Sequence, residues 1–189
     1  MHTIGRHSLR KATLEINGSV IIDTCERPEP PIIGAEKEVL SGFLEFLRGT
    51  ILCKRGGLSD EELRRPHDPS GLALLGMVKH LAAGERTWFR IRFNGEGLED
   101  PRNPHDPAQY WRIAPEETTE AIVDFYNEEV AAARHIVASA DLDTLAKVPP
   151  DAMRGMQLRW IVNHMIEETA RHCGHADLIR EAIDGQTGE

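Results

Sequence analysis

His164, Glu167, Glu168, His172 and His175 all fall within the stretch HMIEETARHCGHADLIRE, residues 164–181. Imidazoles and carboxylates bind divalent metals and move protons. The surrounding pattern is helical, so their angular positions decide whether they can act together. At about 100° per residue, with His164 at zero, Glu168 falls at about 40°, His172 at about 80° and His175 at about 20°. The apolar residues Ile161, Met165, Ile179 and Ile183 fall between about 60° and 100°. Glu168 and His172 therefore share the middle of the apolar face, with His164 and His175 on one flank and Glu167 facing away. An ionised carboxylate there without a partner costs several kcal/mol, on the order of the penalty for an unpaired buried charge. A lone histidine on such a face is an ordinary core residue, and a Glu–His pair can be structural. A pair four residues apart with two flanking histidines also fits a metal site, because both side chains converge on one point.

A metal needs a further ligand from another element. His67 and His105 lie in the loop-like RPHDPS and NPHDPA, and His135 lies off the apolar stripe of its helix. His80, in LLGMVKHLAAGERTWF, sits on the border of its stripe. Periodicity leaves its orientation open, but it is the best placed of the four on a rigid element. Glu85 falls in the middle of that stripe, which predicts a buried ion pair with an arginine or a carboxylate that orients a ligand histidine. Cys173 falls at about 180° on the last helix, away from the candidate ligands, and is expected to pack.

Four amphipathic helical patterns must position these residues. They run over about residues 34–55, from Ser70 as N-cap to the FNGEG stretch, from Pro115 to about residue 137, and over about residues 156–183. The connections are rich in Pro, Asp and Gly, and the one over residues 95–114 predicts a surface loop across one end of the core. The fold class expected is all-α, a four-helix bundle over residues 33–189. Residues 1–32 are a separate extension. TLEI and SVII around Asn17–Gly18 predict a β-hairpin there, and CERPEPP a linker.

Composition excludes several roles. The net charge is −9, with 22 basic against 31 acidic residues, which argues against nucleic acid or an anionic membrane as partner. No long apolar run predicts a membrane span, and the N-terminus lacks the pattern of a secretory signal. Three widely spaced cysteines without CxxC predict no disulfide framework and fit a cytoplasmic location.

The stretches DPSGLALLGMVKHLAAGERTWF and LRWIVNHMIEETARHCGHADLIREAIDGQTG resemble the DinB-like superfamily, over about residues 35–188. The similarity is greatest to an actinobacterial branch related to mycothiol-dependent enzymes. The resemblance implies a four-helix bundle that binds a divalent metal through His80, Glu168 and His172. Zinc is the first expectation, with nickel, iron and manganese as alternatives. Many relatives carry His in place of Glu168; the Glu/His version resembles the mycothiol-dependent maleylpyruvate isomerases. His175 stands where many relatives have Gln, as a fourth ligand, a group behind a ligand or a substrate contact. The implied chemistry is thiol S-transfer or thiol-assisted isomerisation, with a low-molecular-weight thiol such as mycothiol as cosubstrate and a small electrophile as substrate. Arg171 and Arg159 are candidates for receiving carboxylates of thiol or substrate, and Trp88 and Trp111 for lining the pocket. A metal-dependent hydrolase would use His175 or His164 as general base. A metal-stabilised bundle that binds without turnover is the remaining class, and a homodimer stays open.

Overall fold

A computed structural model of the protein describes residues 13–16, 19–22, 27–101, 105–106 and 108–188. In the extension, β1 (Thr13–Ile16) pairs antiparallel with β2 (Ser19–Ile22), in the register Thr13 to Ile22 and Ile16 to Ser19. This is the hairpin expected around Asn17–Gly18. The rest is helical: α1 (Glu36–Cys53), a short α2 (Asp60–Arg64), α3 (Leu74–Glu85), α4 (Thr119–Ser139) and α5 (Leu158–Asp184). Long helices α1, α3, α4 and α5 form the all-α bundle. Helix α3 packs along α4, α1 packs along α5, and α3 also meets α5. Among the described residues, no helix is long and apolar enough to cross a membrane.

Local chemistry moves some boundaries. Ser70 does not cap α3. Its hydroxyl accepts from the Leu72 amide inside a turn closed by the His67 and Leu72 backbones, so the helix begins at Leu74. Pro115 likewise precedes α4, where Thr118 takes the N-cap position and accepts from the Ala121 amide. Helix α2 lies in what the sequence predicts as connection, and is held by a reciprocal capping box between Ser59 and Glu62. Gly185 ends α5 at φ 79°, in the left-handed region that glycine adopts without steric cost. After α3 the chain continues as a π-helix, Arg86–Phe93. Cys53 is disulfide-bonded, against the expectation of free thiols, and its partner lies outside the described residues.

The core has two apolar clusters. One gathers Ile51, Leu75, Met77, Leu81, Tyr126 and Ile179; the other gathers Leu44, Phe89, Ala133, Leu158, Ile161 and Met165. Between them in chain order on α1 and α3 lie Arg48 and Glu85, 3% and 1% exposed. Arg48 Nε donates to Glu85 Oε1 at 2.8 Å and Nη2 to Oε2 at 2.5 Å. The ion pair expected of Glu85 is thus present, and both its oxygens are committed to Arg48. Burial pushes the Glu85 carboxyl up and the guanidinium opposes it; the bidentate geometry keeps both groups charged.

Removing one partner strands the other charge in the core. Arg48→Ala is therefore expected to lower the unfolding free energy by about 3–5 kcal/mol. The double replacement Arg48→Met with Glu85→Leu should recover most of that loss. Urea denaturation followed by circular dichroism measures both, and a double variant as unstable as the single one would contradict this account.

Candidate metal centre

His80 on α3 is part-buried, as is Glu168 on α5; His172, one turn along α5, is 6% exposed. Their relation follows from helix geometry: Glu168 and His172 are four apart and project together, while the α3–α5 contact brings His80 across to them. Nε2 of His80 is 2.9 Å from Glu168 Oε1, and Nε2 of His172 is 3.3 Å from the same oxygen. One ligand atom from each of the three residues lies within 4.8 Å of the others. Among the described residues this is the group of three that could hold a metal ion.

The electrostatics follow from that convergence. Hydrogen bonds from His172 and His80 hold the Glu168 carboxyl well below the usual carboxylate range, against the burial that opposes it. Glu168 is therefore a carboxylate with two imidazoles aimed at one oxygen. Two imidazole nitrogens and a carboxylate are a donor set that suits zinc and other first-row divalent ions. A metal would replace the protons now carried at these contacts, since ligand nitrogens must be free of hydrogen. The residues fit such an ion in type, number and convergence.

The other candidates divide by position. His175 Nδ1 lies 3.4 Å from His172 Nδ1, on the side of that ring opposite the nitrogen facing Glu168. The structure thus puts His175 behind His172. His164 stacks on Trp160, with ring centres 5.0 Å apart, and meets Trp88 edge-on at 4.8 Å. His164 and Trp88 therefore belong to an aromatic group with Trp160, toward the N-terminal end of α5. Arg171 is exposed and paired with Glu167 on the outer face, and Arg159 pairs with Glu36 and Asp143. Cys173 is buried, its thiol donates toward the Leu47 carbonyl, and burial pushes its pKa up to about 12.

Two aromatic residues of the loop stand against the site: Trp111, expected with Trp88 as pocket lining, and Tyr110, which the sequence pattern did not single out. Trp111 stacks on His80 with ring centres 3.8 Å apart and planes 9° from parallel, and meets His172 edge-on at 5.0 Å. Tyr110 also stacks on His80, at 5.1 Å. The aromatic pair in AQYWR, on a loop expected to cross one end of the bundle, was the available signal; which end and which residue it covered depend on tertiary structure.

Compared with known proteins, the chain matches the family described as mycothiol-S-transferase over residues 39–185, from within α1 to the glycine that ends α5. No curated protein matches it.

An ion shared by α3 and α5 would tie the two helices together, and a ligand that binds only the folded state stabilises it by mass action. At about one hundred times its dissociation constant the gain is about 2.7 kcal/mol, or roughly 5–10 °C in Tm for a domain of this size. Chelation is expected to lower the Tm of the metal-loaded protein by that order and to leave His172→Ala unchanged; equal shifts in both would exclude the site. Cys173 is expected to resist iodoacetamide at pH 8 in the native protein and to react once it is unfolded, as peptide mass mapping would show.

Proposed function

Since the chain belongs to the mycothiol-S-transferase family, a DinB-like family, we propose that it is a metal-dependent S-transferase that joins a low-molecular-weight thiol, mycothiol or a close analogue, to a small electrophile. The observation that carries this reading is the convergence of His80, Glu168 and His172 within 4.8 Å. A divalent metal bound there, zinc first among the candidates, supplies Lewis acidity and makes a coordinating thiol give up its proton near neutral pH.

The chain's own residues account for the other requirements. Glu168 contributes one formal negative charge beside two imidazoles, and three protein ligands would leave a bound divalent ion open to an exchangeable group. His175, at Nδ1 of His172, fixes which ring nitrogen of His172 is free for binding. Trp111 covers one face of His80, with Tyr110 beside it, and together they limit the access of water to the ring. The sulfur then forms a bond to an electrophilic carbon. The displaced electron pair leaves with a departing group, or moves onto a conjugated carbonyl in the isomerase variant.

The thiol comes from outside. Cys173, the buried free cysteine, has its pKa raised to about 12 and lies in the packing between α5 and α1. It is a poor source of thiolate.

The decisive assay uses zinc-loaded protein, mycothiol and a fluorogenic haloalkyl electrophile, with conjugate formation followed by fluorescence and mass. Wild type is expected to accelerate conjugation, Glu168→Gln to lose bound metal and turnover together, and Cys173→Ser to retain both. A conjugation rate that persists in metal-free Glu168→Gln would refute the metal-dependent route.

A further inference from the structure

Part of the loop between the π-helix and α4 rests on α3 beside His80. Three contacts seat it there. A Cβ at position 76 would stand 2.5 Å from the Trp111 carbonyl oxygen, so the loop backbone rests directly on the glycine. Lys79 Nζ donates to the Arg112 carbonyl at 2.8 Å and to the Glu117 carboxylate at 2.7 Å. Glu117 in turn accepts from the Ala114 amide at 2.7 Å. Gly76, Lys79 and His80 are spaced three and four apart on α3, and so share one helical face. The face that seats the loop is also the face that carries His80.

We propose that Trp111 is the positioning residue for His80, and that Gly76 and Lys79 are the seat that puts it there. The torsion that turns an imidazole about its own axis is soft and broad. Helix geometry alone therefore fixes where the His80 ring lies, but not which way its Nε2 points. The indole lies 9° from parallel to the imidazole with centres 3.8 Å apart, and so sets the ring plane. In that plane Nε2 is directed at Glu168 Oε1. The same indole meets His172 edge-on, so one side chain references both histidines. Ligand histidines are commonly oriented by a hydrogen bond from behind; here a face-to-face aromatic contact does so, and its loop is tied to the ligand's own helix. The inference rests on the reading of His80, Glu168 and His172 as metal ligands.

The experiment titrates the full-length, metal-free protein with Co(II), reading its visible absorption band and, by competition, its affinity. Trp111→Ala is expected to weaken binding by about 10–100-fold, the usual cost of losing a group that orients a ligand, and to change the band; Trp111→Phe, which keeps a stacking ring, should stay near wild type. Gly76→Ala is a second probe: alanine is the better helix former, so the fold is retained while the loop is pushed away, and Co(II) binding should weaken as in Trp111→Ala. A metal-independent arm reads the His80 ring protons by NMR. They should lie upfield in wild type, under the indole, and return to ordinary positions in Trp111→Ala. Unchanged affinity and band in Trp111→Ala, or no upfield shift in wild type, would overturn the proposal. Wild type that shows the upfield shift but binds no Co(II) would overturn the metal reading itself, and with it the role given to Trp111.

Discussion

The buried bidentate pair of Arg48 and Glu85 constrains everything around it. Two opposite charges in an apolar core tolerate little movement, because any separation leaves each without the partner that compensates its desolvation. The pair therefore fixes α1 against α3 in both rotation and height. Glu85 follows His80 by five residues on the same helix, and α1 packs along α5, which carries Glu168 and His172. A shift of α3 large enough to separate His80 from Glu168 would have to pull Glu85 from Arg48. These two polar sites are thus coupled through rigid helices, one deeply buried and saturated, the other part-buried and of a kind that could hold an ion.

At the second site, Glu168 makes the region tolerable without metal and receptive to it. Its carboxylate is compensated by two imidazoles, so the apolar face of α5 carries a charge that is partnered. The arrangement is three candidate ligands held together by contacts that a cation could replace. The buried Cys173, one residue beyond His172 in sequence, points to another side of the helix and contributes packing. That division of labour, with the candidate ligands on one face and the Cys173 thiol sealed on another, is consistent with a family whose reactive sulfur arrives with a small molecule.

Much of the fold was legible because it depends on local periodicity. The four long helices announce themselves by apolar residues at three- and four-residue spacing, and the pairing of Glu168 with His172 follows from the same arithmetic. The buried pair of Glu85 was readable as well, since a carboxylate in the middle of an apolar stripe requires a cation. His80 was only half legible: it sits on a stripe border, and which neighbour it turns toward is decided by how α3 packs on α5. Trp111 was not legible as a neighbour of His80, because the path of a long loop is set by contacts far away in sequence, such as that with Gly76. Helix starts at Leu74 and Thr119 were displaced from the expected ones because turns competed for the same backbone amides. The π-helix left no pattern that a 3.6-residue period could detect.

That π-helix has an evolutionary consequence. A backbone hydrogen bond that spans five residues encloses one residue more than an α-helical one, so Arg86–Phe93 behaves as a stretch with an extra residue absorbed inside a continuous rod. Upstream of it, His80 keeps the angular register of α3; within it, Phe89 and Phe93 are rotated relative to an unbroken α-helix and still reach the core. A homologue without the extra residue would therefore align with a gap in mid-helix, where gaps are ordinarily disfavoured, and not in the loop that follows. The two ends of this helix can diverge as separate modules: substitutions in the half around His80 need not be matched by changes in the aromatic half around Trp88.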